Sequence, residues 1–279
     1  MKKVIIIGAG PAGITAGIYL TRAKIDNIVI TNNSGSLKKA ELVENYYGFE
    51  NPISGSDLIN NGINQYKRLG GNLIEDEIVS LTYEDKLKVI GVKDSYYCDI
   101  VIIATGAGRL MPNIKGLKEE KGVSFCAICD AFFYRDKDVC VIGNGNYAAH
   151  EAETLKQTSK SVVVLTNGKE NNVNKDLNIN TNEISFIEKN DEKFIIHFIN
   201  NDKLIVDGIF IAEGVANATA LAKKIGIRID NNKILVDENK KTIMPNIYAI
   251  GDCTGGILQI SKAVYDGMVA ALNIIKENK

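Results

Sequence analysis

Cys126-Ala127-Ile128-Cys129-Asp130 sets two thiols three positions apart, with a carboxylic acid directly after the second. Cysteines at this spacing either ligate a metal or exchange a disulfide. Closed tetrahedral zinc needs four protein ligands, and the chain offers only His150 and His197 and no second CxxC. No metal is therefore expected. Disulfide exchange needs a thiolate and a group that carries its proton. Asp130 is placed to do the second task if it is held near the thiols. The plain alternative is a pair of buried apolar cysteines. The other three cysteines lack such a frame. Cys140 lies in an apolar run and reads as core. Cys98 precedes Asp99 at a strand start with no partner in sequence, and Cys253 follows Gly251-Asp252 and is left unassigned. His150 and His197 read as surface or satisfied side chains.

A second chemistry is carried by glycine. Gly8-Ala9-Gly10-Pro11-Ala12-Gly13 follows the apolar run Val4-Ile5-Ile6-Ile7 and opens a helix-length stretch. In such a frame the first glycine permits a tight turn, the second admits a pyrophosphate and the third allows a helix to close on a strand. A dinucleotide site is expected here, although Thr31-Asn32-Asn33 supplies no acid for a ribose. Gly143-Asn144-Gly145-Asn146-Tyr147-Ala148 repeats the frame. The residues after its next apolar run, Thr166-Asn167-Gly168, offer neither an acid for a ribose nor an arginine cluster for a 2′-phosphate. This loop reads more readily as a packing remnant than as a nucleotide site.

The elements that must position these motifs form two similar sets. Residues 3–33 and 138–168 align without a gap at an offset of 135. Each has an apolar run, a glycine loop, a helix-length stretch and a second apolar run, the pattern of a buried βαβ unit. Further strands are expected at 100–104, 208–212 and 246–250, and a final helix at 261–276, where apolar residues recur at helical spacing. Residues 167–190 are polar and Asn-rich and read as turns and short strands.

The chain has 279 residues, a length that suits two domains. It carries 33 basic and 34 acidic residues, so no nucleic acid partner held by phosphate neutralisation is expected. No apolar stretch nears the ~20 residues of a membrane span, so no membrane partner is expected. The initial Met1-Lys2-Lys3 and its apolar run stop at Gly8, which disfavours a secretory signal. Five cysteines, an odd number, do not suit a secreted disulfide framework. A cytoplasmic location is expected.

Four motifs occur in order: GAGPAG at 8–13, IIATGA at 102–107, SFCAICDAFFY at 124–134 and IYAIGD at 247–252. In these the chain resembles the low-molecular-weight thioredoxin reductases, over essentially its whole length. The resemblance implies an α/β protein with two doubly wound Rossmann-like domains, the smaller inserted in the larger, and a homodimer. It implies an FAD domain in two pieces, 1–110 and 244–279, and a dithiol domain at 111–243. By position, Gly8, Gly10 and Gly13 would hold the FAD pyrophosphate. Gly35, Ser36, Leu37 and Asn45 would line the flavin side, Asp252 would bind the ribityl chain, and Gln259 would contact the flavin. Pro11, Ala12, Thr31, Ala104, Thr105, Gly106, Gly251 and Ile260 complete the implied cofactor set. Leu258 stands where the family has arginine. Cys129 would take electrons from the flavin, Cys126 would attack the thioredoxin disulfide, and Asp130 would be the acid–base residue.

The departures concern the electron donor. NADPH-dependent members carry an HRRxxxR segment where this chain reads Thr166-Asn167-Gly168-Lys169-Glu170-Asn171-Asn172, and Glu213 replaces a usually neutral residue. In this the chain is similar to the ferredoxin-dependent flavin thioredoxin reductases, which implies ferredoxin as donor and thioredoxin as acceptor. Lys38, Lys39, Lys240 and Lys241 are the candidates for a basic patch facing an acidic ferredoxin, although such pairs are commonly solvated surface. The retained GNGNYA frame keeps open a reductase driven by NADPH or NADH. A non-enzymatic flavin redox sensor is the rival of another class. A ferredoxin–NADP reductase would need the missing clamp and would lack the dithiol.

Overall fold

The computed structural model describes residues 2–32, 35–106, 111–118, 120–173, 176–214 and 216–278, apart from the side chain of Cys129. In chain order the first elements are β1 (Val4–Ile7), α1 (Pro11–Arg22), β2 (Asn27–Thr31), α2 (Gly55–Arg68) and β3 (Asn72–Glu75). Next come β4 (Ile78–Tyr83), β5 (Leu87–Gly91), β6 (Ser95–Cys98) and β7 (Ile100–Ile103). Then follow β8 (Val123–Ser124), α3 (Ala127–Asp130), β9 (Asp138–Ile142), α4 (Asn146–Lys156), β10 (Ser161–Leu165) and β11 (Asn178–Asn180). After these lie β12 (Ile184–Asn190), β13 (Lys193–Phe198), β14 (Lys203–Val206) and β15 (Gly208–Ile211). The chain ends with α5 (Ala218–Lys224), β16 (Ile229–Asp230), β17 (Lys233–Ile234), β18 (Ile247–Ala249) and α6 (Ile260–Glu277).

The chain divides into two compact units, 1–108 with 217–279, and 109–216. The return crossing therefore differs from the expected 243/244. Residues 217–243 pack with the first unit. Lys224 Nζ donates to the Val79 carbonyl in β4 at 3.0 Å, and the Lys233 stem lies against Gly255. These are tertiary contacts made by ordinary surface residue types, which carry no signal in the sequence.

The first unit holds a parallel sheet in the order β3-β2-β1-β7-β18. All four residues of β1 and of β7 are buried, as their continuous apolar runs demand. One face of the sheet, with Val4, Ile6, Ile100, Ile102 and Tyr248, packs with Ala12, Ala16 and Leu20 of α1 and Ala270, Ala271 and Ile274 of α6. Strand order reverses between β1 and β7, and in doubly wound sheets a ligand crevice opens outside the carboxyl ends at such a reversal.

Residues 78–98, which carried no motif, form an antiparallel three-stranded sheet, β4-β5-β6. One buried carboxylate organises its edge. Asp76 Oδ1 accepts from the amides of Glu77, Val92 and Lys93 at 2.8–3.1 Å. Its Oδ2 accepts from the Asp94 amide at 3.3 Å and from Tyr96 Oη at 2.9 Å.

The second unit repeats the doubly wound plan, with β11-β10-β9-β15-β8 all parallel. The offset of 135 carries Ile7 to Ile142, the last residues of β1 and β9, and Pro11 to Asn146, the first residues of α1 and α4. The stretch expected as turns and short strands contains β11 and β12, and β12 joins β13 and β14 in an antiparallel sheet. Phe194, Ile196 and Phe198 from that sheet bury against Ile142, Leu165 and Ile209. Among the described residues, no helix is long and apolar enough to cross a membrane.

Asp76→Ala leaves four amides and a phenol without their acceptor. Its expected cost is about 3 kcal/mol, since hydrogen bonds to a charged group contribute ~1.5–3 kcal/mol and stranded buried donors add to the loss. Chemical denaturation followed by circular dichroism tests this, and an unchanged midpoint would remove Asp76 from its organising role.

Candidate active site

In the first unit the glycine loop sits at the strand-order reversal. Gly8 has φ +112°, and a Cβ there would lie 2.4 Å from the Ala104 carbonyl oxygen, so the loop rests directly on the end of β7. A Cβ on Gly13 would lie 2.0 Å from the Gly8 carbonyl oxygen, which brings α1 onto the loop. Gly10 differs: a Cβ there would meet nothing within 4 Å. It caps α1 without a side-chain hydrogen bond, and Pro11 occupies the first turn, where no amide donor is needed.

Most of the expected residues surround these strand ends. Ala104, Thr105 and Gly106 follow β7, and the buried Thr105 Oγ1 has no hydrogen-bond partner. Thr31 ends β2 and is buried. Gly251 follows β18 with φ +76°, and a Cβ there would lie 3.0 Å from Ala12 Cβ. Asp252 comes next; burial raises its pKa while the nearby Lys262 pulls it down. Gly35 is exposed and extended, and the Leu37 carbonyl packs against Gly55. Asn45 and Gln259 meet although 214 positions separate them: Asn45 Nδ2 donates to Gln259 Oε1 at 3.1 Å. Gln259 caps α6, which begins at Ile260.

Cys126 in the second unit is buried and disulfide-bonded, and it caps α3 with extended backbone. The Cys126 amide donates to Ser124 Oγ at 3.1 Å, and the same hydroxyl donates to Asp130 Oδ2 at 2.6 Å. The acid and the backbone of the cysteine are thus tied through one hydroxyl. The Cys129 side chain, expected to face the flavin, lies outside the described residues. Ile128, Phe132 and Phe133 are exposed around this turn, and the Arg135 guanidinium covers Phe132 at 5.2 Å.

The second glycine loop keeps the packing of the first. A Cβ on Gly143 would lie 2.2 Å from the Ala212 carbonyl oxygen. Its rim differs. Asn144 Nδ2 donates to the Glu170 carbonyl at 2.9 Å, and the Asn144 carbonyl accepts from the Asn172 amide at 2.9 Å. Lys169 pairs with Glu213. The position of Gly10 is taken here by Gly145, whose Cβ would lie 3.7 Å from the Gly214 carbonyl oxygen.

These observations come together with a match to known proteins. Residues 2–267 match the model of the pyridine nucleotide-disulphide oxidoreductases. The chain belongs to that family. A thioredoxin reductase of Buchnera aphidicola subsp. Acyrthosiphon pisum is 32% identical over 98% of this chain and 95% of its own length. The crystal structure of an atypical thioredoxin reductase from Desulfovibrio vulgaris Hildenborough is 32% identical with a TM-score of 0.91, covering 99% of both chains. That of a ferredoxin-flavin thioredoxin reductase from Clostridium acetobutylicum is 27% identical with a TM-score of 0.74, covering 99% of this chain and 98% of the other. This family member is a flavin-dependent disulfide oxidoreductase of the thioredoxin reductase type, and its cofactor is FAD.

The first-unit loop fits an FAD pyrophosphate. Gly10 leaves open space at a helix N-terminus, where backbone donors suit an anion, and the unpaired hydroxyl belongs to Thr105, whose amide would lie 3.3 Å from a Cβ on Gly8. Cys253 does not join the set. It is fully buried, its thiol donates to the Ile250 carbonyl at 3.2 Å, and burial pushes its pKa up to about 12. Cys140 is core as expected, with its thiol raised by burial. Cys98 ends β6 just before β7 starts at Ile100, and burial raises its pKa to about 12.

Several residues at the site had no motif to announce them. Asp266 is buried in α6, accepts from the Gly251 amide at 3.0 Å and pairs with Lys262 at 2.7 Å and Lys240 at 2.9 Å. Lys262 Nζ also donates to the Gly251 carbonyl at 2.7 Å and to Thr254 Oγ1 at 2.8 Å. Asp266, Lys262 and Lys240 line a pocket of about 530 Å³ with Gln259, Ser261 and Tyr265. The available signal was an aspartate within the apolar stripe Ala263, Gly267, Ala270, Ala271 and Ile274 of α6, four residues after a lysine. Of the residues named for a basic patch, Lys240 is paired with Asp266 and Lys241 with Glu277.

Burial raises the Asp266 carboxyl, but Lys262, Lys240 and the Gly251 amide outweigh it, and the net pKa is lowered. A lowered folded value contributes stability above the unfolded pKa of about 3.9, lost as pH falls through the folded value. Asp266→Asn leaves two lysines without their counter-charge, and the expected loss near neutral pH is about 3 kcal/mol. The penalty should shrink as pH falls below about 4. Denaturation midpoints of wild type and variant from pH 7 to 3 test this; a gap that is constant with pH would overturn it.

Proposed function

We propose that the protein is a thioredoxin reductase that takes its electrons from reduced ferredoxin. The observation that carries the choice of donor is the second glycine loop, whose rim is engaged by its own chain. Asn144 is bound by Glu170 and Asn172, and Lys169 is neutralised by Glu213. A nicotinamide nucleotide would have to displace these contacts, and the pairing with Glu213 leaves Lys169 without an uncompensated charge for a phosphate. No arginine follows β10 to take a 2′-phosphate by charge-assisted bidentate bonds. Similarity to a ferredoxin-flavin thioredoxin reductase supports the same donor.

In this reading Gly8, Gly10, Pro11, Ala12 and Gly13 hold the FAD pyrophosphate. Thr31, Gly35, Leu37, Asn45, Ala104, Thr105, Gly106, Gly251, Asp252, Gln259 and Ile260 complete the binding surface. Bound FAD supplies a two-electron store that can be filled by single electrons and emptied as a pair. Cys126 and Cys129 form the working couple. The reduced Cys126 thiolate attacks the thioredoxin disulfide, one sulfur of which leaves as a thiol. The Cys129 thiol then displaces the second, which restores the protein disulfide. Asp130, held by Ser124 at 2.6 Å, passes the protons. The exposed Ile128, Phe132 and Phe133 give the thioredoxin an apolar surface beside the couple.

A flavin titration and two glycine variants test this reading. In anaerobic titration of the FAD-loaded protein, reduced ferredoxin should bleach the flavin absorbance, and NADPH and NADH should not. Rapid bleaching by either nucleotide would overturn the donor. Gly10→Ala should leave the unfolding of the cofactor-free protein within about 0.5 kcal/mol of wild type, because the added methyl meets no protein atom. It should weaken FAD binding by tenfold or more, a loss of about 1.4 kcal/mol or greater. Gly13→Ala, whose methyl would strike the Gly8 carbonyl, should instead unfold the protein. Undiminished FAD affinity in Gly10→Ala would remove the loop from the pyrophosphate site.

A further inference from the structure

We infer that Glu151 is a positioning residue that makes the Cys126 couple more strongly reducing, by presenting a buried carboxylate to the backbone of the CxxC turn. The inference rests on the reading of Cys126 and Cys129 as the working couple.

Glu151 belongs to α4, the helix that opens from the second glycine loop, and it is 1% exposed. Its Oε2 accepts from the Ala127 amide, the residue after Cys126, at 2.6 Å. One turn earlier on the same helix, buried Tyr147 donates its hydroxyl to the carbonyl of Phe125, the residue before Cys126, at 3.2 Å. Positions four apart share a helix face, so one face of α4 grips the chain on both sides of Cys126. The Cys126 amide is itself bound to Ser124.

Amide donors and positive charge next to a CxxC cysteine stabilise its thiolate and thereby the reduced form. Here the amide of Ala127 is bound to a carboxylate and the amide of Cys126 to a hydroxyl. Reduction converts the neutral disulfide, with two electrons and two protons, to two thiols, one of which ionises for attack. A fixed negative charge beside the turn disfavours that ionised form and leaves the neutral disulfide untouched. The reduced couple is raised in energy, and its tendency to give electrons to a substrate disulfide rises with it. This also gives α4 a task that needs no nucleotide, consistent with a glycine loop that keeps its packing glycine, Gly143, while its rim is engaged by its own chain.

The test equilibrates the FAD-loaded protein with glutathione buffers, traps free thiols by alkylation and counts them by mass. Two glutathione thiols reduce one protein disulfide and become glutathione disulfide. Glu151→Gln keeps the shape and an acceptor oxygen for Ala127 but removes the charge. It should shift the equilibrium about tenfold toward the dithiol, or ~30 mV toward a more oxidising couple. An unchanged equilibrium, or a shift toward the disulfide, would overturn the inference. Tyr147→Phe loosens the same turn without touching the charge and should shift the equilibrium less than about twofold. An equal shift in that variant would assign the effect to mobility of the turn and also overturn it. Thioredoxin reduction that persists in Cys129→Ser would instead sink the dithiol reading, a failure separate from either result at Glu151.

Discussion

The close approach of backbone to backbone at two glycines underlies the first unit. A methyl on Gly8 would fall 2.4 Å from the Ala104 carbonyl, and one on Gly13 would fall 2.0 Å from the Gly8 carbonyl. Both distances lie far inside van der Waals contact, so any side chain would force β1, β7 and α1 apart. Because those positions are bare, two strand ends and a helix N-terminus converge at one point. Gly251 and Ala12 extend the same close packing to β18, and Gly267 brings α6 against the Ala12 carbonyl. The surface proposed for FAD is a consequence of this packing.

In the proposed reading, the packing role and the binding role of such a loop are separable, and the second unit keeps the first. Gly143 touches the Ala212 carbonyl as Gly8 touches Ala104. That contact is needed to close a helix on a strand whether or not a ligand binds, and it survives. The middle glycine is the one that must face a phosphate. Gly10 faces open space, whereas the loop around Gly145 is tied to residues 170 and 172 and flanked by the Lys169–Glu213 pair. An exposed ion pair contributes little to stability. Its weight here lies in the lysine charge it ties up beside the loop.

Buried carboxylates recur wherever a loop needs a definite shape. Asp76 gathers four amides at the edge of β4-β5-β6, Asp266 holds the Gly251 amide after β18, and Glu151 holds the Ala127 amide after Cys126. A carboxylate can accept several hydrogen bonds at once, and such charge-assisted bonds are stronger than neutral ones. Burial of the charge is tolerated because the donors are supplied. The two that border the chemistry, Asp266 and Glu151, act on backbone that carries proposed site residues.

Much of the molecule was legible in its sequence. Buried parallel strands read as continuous apolar runs, so β1, β2, β7, β9, β10, β15 and β18 announced themselves, and the offset of 135 marked two copies of one unit. The glycine loops and the CxxC were equally plain, since chemistry and close packing there admit few residue types. What the tertiary structure alone decided lies elsewhere. The return of the chain to the first unit at 217, the meeting of Asn45 with Gln259, the Asp266–Lys240 and Lys169–Glu213 pairs and the hydrogen bond from the Ala127 amide to Glu151 depend on residues far apart in sequence. Charged and amide side chains are acceptable almost anywhere on a surface, so their types carry no address. Only folding brings them within hydrogen-bond distance, and only there does a glutamate in an ordinary helix become a group that faces the dithiol turn.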